Sequence, residues 1–446
     1  MKRPIIRHLV ASGLLLAAPS AMAKPAPDLT VGQEAYVTNC ARCHGDLGHG
    51  DGPDAKRMVP RPRDLTSGRY KVRTTASGTS PTDEDLFRTI TYGLASTRMP
   101  GWEGLSDDTR WQLVYYVKSL SPTFTEAAPQ PIDIGNDPGP TGVDPAKGRQ
   151  WYADLGCAAC HGTLGRADGP SATTLADDWG QPIRAANLTH GWTLRGGAEP
   201  KDLVTRLMTG VDGTPMPSYA DAVAPEDLWQ LAHYLRSIQE PARWSWAITA
   251  TPVAVLPTSP TDPAWDAAPR TDVKLWSNLY VQGEVVPAAV PWAMIRAVYT
   301  PEAVAFRIVW DDPTQDRGTP PDQLALVFKP DTAGWELGSL QSWPTAAATP
   351  LDVCLWSAAR DTILESVAAS FELPETAPAR PAQAQYEDGR WRLTFTRPLA
   401  IPGGVTLRAE PTVPVALVAW DGGQGETGRR RSVSPWLDFQ LKEDIP

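Results

Sequence analysis

Two short stretches constrain this chain more than any other feature: Cys40-Ala41-Arg42-Cys43-His44 and Cys157-Ala158-Ala159-Cys160-His161, each of the form C-x-x-C-H. Two thiols three positions apart, followed at once by an imidazole, form the attachment signature of a covalent c-type haem. The thiols reach the two vinyl groups of one porphyrin, and the neighbouring imidazole becomes the proximal iron ligand. A bare C-x-x-C would serve equally as a redox disulfide or as half a zinc site, so the His and the second copy carry the argument.

The sixth iron position can be sought by register, because a Met thioether from a downstream loop is a common partner to His. Met99 lies 59 positions after Cys40, and Met216 lies 59 positions after Cys157. Each is followed by Pro, with an aromatic close behind, in Met99-Pro100-Gly101-Trp102 and Met216-Pro217-Ser218-Tyr219. Gly93 and Gly210 keep the same step, and Gly52-Pro53 is echoed by Gly169-Pro170, so the chain carries an internal repeat of period 117. The expected site residues are Cys40, Cys43, Cys157 and Cys160 for haem attachment and His44, Met99, His161 and Met216 for iron, with no catalytic residue. On these motifs, residues 24–120 and 142–240 each resemble a class I cytochrome c domain. The resemblance implies small helical folds around two covalent haem c groups.

Helix signals agree. Asp144-Pro145 reads as a cap with Pro at the first helical position, Ser106 caps the last helix of the first unit, and Pro225 with Glu226 and Asp227 opens that of the second. Leu113, Tyr116, Val117 and Leu120 recur at helical spacing, as do Leu231, Tyr234, Leu235 and Ile238, and are expected to be core. Met58 and Met208 have no counterparts in the other repeat and read as packing residues; His49, His190 and His233 read as structural.

At 446 residues the chain is too long for one core. Lys2, Arg3 and Arg7 precede an apolar run from Leu9 to Ala18, and Ala21-Met22-Ala23 supplies small residues for cleavage, so residues 1–23 read as a signal peptide removed after Ala23. No later run is long and apolar enough to span a bilayer, and a periplasmic location follows. Residues 121–141 and 241–262, rich in Pro, read as linkers.

Charge narrows the partners. With 41 basic and 51 acidic side chains, nucleic acid is excluded as a natural partner. Basic residues nevertheless bunch in the first haem unit, at Lys56, Arg57, Arg61, Arg63, Arg69, Lys71 and Arg73. They could steer an acidic redox partner or, the reading favoured here, neutralise haem propionates and face water.

From Pro263 to the end the hydrophobic period changes to two. Val304, Phe306, Ile308 and Trp310 alternate, as do Trp391, Leu393 and Phe395, and similar runs cover 273–281, 291–299, 323–328, 352–356, 414–420 and 436–441. The fold class expected is therefore multidomain, with two all-α cytochrome c domains followed by an all-β sandwich over 263–446. The segments Phe306-Arg307-Ile308-Val309-Trp310-Asp311-Asp312, Asp322-Gln323-Leu324-Ala325-Leu326, Asp352-Val353-Cys354-Leu355-Trp356, Ala419-Trp420-Asp421-Gly422 and Arg431-Ser432-Val433-Ser434-Pro435-Trp436 are similar to the haem-b-binding gamma-subunit family of ethylbenzene dehydrogenase, dimethyl sulfide dehydrogenase and selenate reductase.

That resemblance implies a sandwich that holds a b haem between Met and Lys and serves a molybdopterin enzyme. Here Leu337 stands where the Met belongs and Arg431 where the Lys belongs, and arginine does not deprotonate to bind iron. No haem b is expected, with a Met294 and Lys329 pair the remaining alternative. Cys354, the fifth cysteine, reads as a buried inert thiol.

The function expected is single-electron transfer to or from a partner oxidoreductase of molybdopterin type, docked through the sandwich, with a second cytochrome or quinol-linked complex as the other partner. Two alternatives stand beside it: a haem enzyme acting at one iron, and a cytochrome joined to a carbohydrate-binding-like module.

Overall fold

The structure is a computed structural model that describes residues 24–125, 129–277, 287–330, 350–360, 362–374 and 377–442. The leader and Leu337 lie outside them. The first domain contains α1 (Leu29–Asn39), α2 (Ala41–His44), α3 (Asp83–Tyr92) and α4 (Asp107–Ser119); the second repeats them as α5 (Pro145–Asp154), α6 (Ala158–His161), α7 (Pro200–Thr209) and α8 (Pro225–Ser237). Local chemistry sets the starts. The Asp28 carboxylate accepts from the N–H groups of Thr30 and Val31, Thr82 and Asp85 form a capping box on α3, Ser106 caps α4, and Asp144 caps α5 ahead of Pro145.

In each domain the first and last long helices cross at a glycine. A Cβ on Gly32 would sit 2.5 Å from the Gln112 carbonyl and 2.8 Å from Tyr116 Cβ; one on Gly148 would sit 2.3 Å from the Gln230 carbonyl and 2.5 Å from Tyr234 Cβ. Only glycine permits such a crossing. Leu113, Val117, Leu231 and Leu235 are buried beneath it, as their spacing predicts, while Leu120, Tyr234 and Ile238 pack at the margin.

The basic run of the first domain meets acids of the second. Arg73 is buried and donates through Nη2 to the Thr209 carbonyl at 2.9 Å and to Asp212 Oδ1 at 2.8 Å. Arg69 pairs with Asp178, Arg88 with Asp202, and Lys71 lies 3.8 Å from Asp177. Arg63 stacks on Trp179 at 4.1 Å. Solvent exposure and partner steering are thus corrected for Arg63, Lys71 and Arg73, whose charges are spent inside the molecule because the second domain is acidic. Residues 121–141 also differ from a free tether: Ile132 N–H donates to the Thr74 carbonyl, and Trp229 Nε1 donates to the Ile134 carbonyl.

The carboxyl-terminal domain contains β1 (Ala247–Pro252), β2 (Thr271–Lys274), β3 (Trp276–Ser277), β4 (Trp292–Tyr299), β5 (Ala303–Asp311), β6 (Gln323–Phe328), β7 (Leu351–Ser357), β8 (Thr362–Ala368), β9 (Ala379–Glu387), β10 (Arg390–Pro398), β11 (Val413–Trp420), β12 (Ser432–Val433) and β13 (Leu437–Leu441). Pairing runs β13-β1-β4-β5-β10-β9-β8-β7-β6-β11, and β11 pairs again with β13. The expected sandwich is therefore a closed ring of ten strands, and closure leaves no edge within that ring open to another chain. Its interior holds Phe306, Phe328, Phe395 and Phe439, with Trp310 stacked on Trp391 and Trp356 edge-on to both toward one mouth. β1 falls inside the stretch read as a Pro-rich linker, where it lies parallel to both β13 and β4.

Candidate haem sites

Each C-x-x-C-H motif is wound into one helical turn. The amide of His44 donates to the Cys40 carbonyl and that of His161 to the Cys157 carbonyl, both at 2.9 Å, which gathers both thiols and the imidazole within that turn. Gly52 and Gly169 press against these turns so closely that a Cβ would meet the carbonyls of Arg42 and Ala158 at 2.5 Å. Tyr36 and Tyr152 brace the exits, their hydroxyls donating to the Gly45 and Gly162 carbonyls at 2.8 and 2.6 Å.

The imidazoles are held by the same device. His44 Nδ1 donates to the Arg63 carbonyl at 2.9 Å and His161 Nδ1 to the Ala186 carbonyl at 2.8 Å. A carbonyl only accepts, so Nδ1 carries the proton and Nε2 is left with its lone pair free. Burial pushes both imidazoles below their ordinary pKa, which keeps them neutral, the form that binds iron.

The methionine loops match one another. Met99 and Met216 carbonyls accept from the Leu94 and Val211 amides at 3.1 Å, and their own amides donate to the hydroxyls of Thr97 and Thr214. Gly93 and Gly210, at φ of +69° and +64°, end the preceding helices and let these loops fold back. In the second domain Cys157, Cys160, His161 and Met216 line one cavity of about 470 Å³, with Leu207 and Tyr219 among its other walls.

That cavity fits a haem by its polar lining as well. His190 borders it, is 1% exposed, and has neither ring nitrogen hydrogen-bonded. Arg184, Arg195 and Arg206 and, from the neighbouring domains, Lys71 and Lys274 surround it with donors suited to carboxylates. Burial pushes Lys71 and Lys274 down to about 8 and Arg206 to about 10, the cost of holding cations away from water. A redox dithiol is a poor fit. Reactive C-x-x-C thiols have depressed pKa values, whereas burial pushes Cys40 up to about 12 and Cys157 up to about 11. No zinc-like cluster of described His, Cys, Asp or Glu residues includes either motif.

Residues 27–117 match the family described as cytochrome C oxidase, cbb3-type, subunit III, and residues 145–239 match the family described as cytochrome c. The amino-terminal half is a pair of cytochrome c domains. Such domains imply covalently bound haem c and electron transfer. A Haloferax mediterranei protein named as respiratory nitrate reductase heme subunit ORF7 is 27% identical over 193 residues, 41% of this chain and 68% of its own. A chain of the Kuenenia stuttgartiensis reducing HAO-like protein complex is 42% identical, with 47% of this chain and 96% of that chain covered at a TM-score of 0.46. A family 9 carbohydrate-binding module from Caldicellulosiruptor kristjanssonii in complex with cellotriose covers 45% of this chain at 9% identity, with 98% of its own length matched and a TM-score of 0.29.

Outside the haem motifs and the second-domain cavity the remaining residues have structural surroundings. Met208 is buried in the second-domain core, His49 is exposed beside Asp64, and His233 Nε2 lies 2.8 Å from Asp137. Arg431 is buried with its guanidinium over Phe371 at 4.8 Å. Cys354 is buried beside Glu365, and burial raises its thiol well above the ordinary value. Sequence reasoning missed the crossing glycines: Gly32 and Gly148 precede their motifs by 8 and 9 positions, one step out of the 117-residue register that pairs the other landmarks.

Proposed function

We propose that this chain is an exported dihaem electron carrier in which Cys40 and Cys43 hold one haem and Cys157 and Cys160 the other, with His44 and Met99 on the first iron and His161 and Met216 on the second. The observation that supports this most strongly is the twofold recurrence of one device: an imidazole pinned through Nδ1 to a carbonyl, with a methionine loop 59 positions beyond the first cysteine. Each haem, once attached, supplies a one-electron iron couple. The chain's own part is to hold Nε2 and the thioether in place, exclude water, and set the potential through ligand identity and burial. His and Met together favour potentials above those of bis-His sites.

The second-domain cavity opens against both other domains, which suits electron passage through the molecule rather than substrate turnover at one iron. We assign the partners as an oxidoreductase of molybdopterin type, docked through the carboxyl-terminal barrel, and a second cytochrome or quinol-linked complex. The Haloferax relative, named for a respiratory nitrate reductase, supports that choice. Among the described residues no helix is long and apolar enough to cross a membrane. The barrel carries no b haem in this reading, because Arg431 occupies the place of the lysine ligand.

Affinity purification from the native host tests the assignment. The full-length protein should bring down a molybdopterin enzyme, and a chain ending at Glu240 should keep both reducible haems but lose that enzyme. Identical partners with and without the barrel would refute docking through it.

A further inference from the structure

At one mouth of the barrel three carboxylates converge from different strand ends. Asp312 follows β5, Asp322 precedes β6 and Asp421 follows β11; they are 1%, 0% and 1% exposed, and one oxygen from each lies within 4.8 Å of the others. Beneath them is the apolar floor of Trp310, Trp356 and Trp391. Most of the oxygens have donors. Asp322 Oδ1 accepts from the Gly422 amide at 2.8 Å, and its Oδ2 accepts from the Asp316 amide at 2.8 Å and Trp391 Nε1 at 3.0 Å. Asp421 Oδ1 accepts from the Gln424 amide and Asp312 Oδ1 from the Thr314 amide.

Asp312 Oδ2 differs. It is fully buried and receives no hydrogen bond at all. The charges closest to Asp312 are of its own sign, on Asp421, Asp322 and Asp316. Gly423 draws the third strand end in: a Cβ there would meet Asp316 Oδ2 at 2.7 Å and Asp421 Oδ1 at 3.3 Å. Elsewhere this barrel neutralises buried carboxylates, since Asp352 and Glu365 both face Arg397. Here no such ion pair is present among the described residues: Arg184 acts on Asp421 without pairing with it, and three buried carboxylates on an aromatic floor are costly without a directly paired counter-charge.

We propose that Asp312, Asp322 and Asp421 bind one Ca²⁺ ion, with Asp312 Oδ2 as the ligand that has no other use. An all-oxygen donor set suits a hard cation, and loops rather than a rigid frame suit the larger, less geometrically demanding ion over Mg²⁺. Asp311, next to the site, accepts from Asn187 Nδ2 of the second cytochrome c domain at 2.8 Å. Bound Ca²⁺ therefore also fixes the end of β5, which that domain contacts.

Calorimetric titration of the chelator-treated, haem-loaded full-length protein tests this with CaCl₂, and with MgCl₂ in a parallel arm. One Ca²⁺ per chain is expected, together with a rise in Tm on adding Ca²⁺ and a weaker response to Mg²⁺. Asp312→Asn, which keeps the shape and removes the charge, should weaken Ca²⁺ binding at least tenfold while the haem spectrum stays unchanged. Asp421→Asn should do the same and serves if Asp312→Asn fails to fold. Absence of saturable binding up to about 10 mM, tenfold beyond the weakest extracellular calcium modules, would overturn the site in favour of carboxyls sharing protons. Equal binding by wild type and variant would show an adventitious ion only, and equal Mg²⁺ affinity would overturn the Ca²⁺ assignment.

Discussion

Replacing Arg73 by Ala separates the interdomain lock from the many exposed ion pairs around it. The Arg73 side chain is fully buried; Nη2 bridges Thr209 and Asp212, while Nη1 and Nε donate to the Tyr70 and Ala76 carbonyls. Asp212 is about one-tenth exposed and would keep the Ser77 hydroxyl and Gly78 amide as donors. Breaking one side of a buried pair costs about 3–5 kcal/mol, and those remaining donors place this case near the lower end, at about 3 kcal/mol. For cytochrome c units that unfold together as some 200 residues, that loss corresponds to a fall in Tm of roughly 6–12 °C. Arg69→Ala is the control. Its pair with Asp178 has both members more than half exposed, so it should cost about 0–1 kcal/mol and move Tm by no more than about 4 °C. Thermal unfolding followed by haem absorbance reads both. Equal small shifts in the two variants would refute the buried lock and restore a solvated basic face.

Three further outcomes follow from the geometry. Met99→Ala and Met216→Ala should each remove one of two contributions to the red charge-transfer band of the oxidised protein, read by visible absorbance; an unchanged band removes that methionine from the iron. Gly32→Ala and Gly148→Ala drive a methyl into a carbonyl at 2.5 and 2.3 Å, so each should destabilise by about 1–3 kcal/mol or more in urea unfolding. Burial raises Glu426 to about 7, with Asp421, Arg184 and Arg430 as the charges facing it. A carboxyl whose pKa is raised in the folded state contributes stability below its unfolded pKa of about 4.3 that is lost as pH rises through the folded value. In chelator, Tm should therefore fall more for wild type than for Glu426→Gln between about pH 5 and pH 7.5.

The haem sites were legible because their chemistry is local in sequence. A one-turn motif fixes Cys40, Cys43 and His44 together, and the repeat carries the register to Met99 and Met216. Strands were legible where alternation is strong, as in β5 and β10, or where an apolar run is continuous, as in β6. β9 was missed because Ala379–Glu387 alternates exposed and half-buried positions with alanine and polar residues, leaving no apolar signal. β1 was hidden by the prolines around it, and closure through β11 and β13 depends on pairings distant in sequence. The basic run was misread for a related reason. Its neutralising partners Asp177, Asp178 and Asp212 lie more than 100 positions away, so only the folded arrangement joins them.

The most direct test of the central proposal is haem stoichiometry and linkage in the purified full-length protein. Intact mass after acidified organic extraction, with a pyridine haemochrome spectrum of both fractions, should show two haems retained on each chain with c-type bands and none in the extract. Fewer than two retained haems would contradict the assignment of Cys40, Cys43, Cys157 and Cys160, and one extractable haem per chain would place a b haem in the barrel.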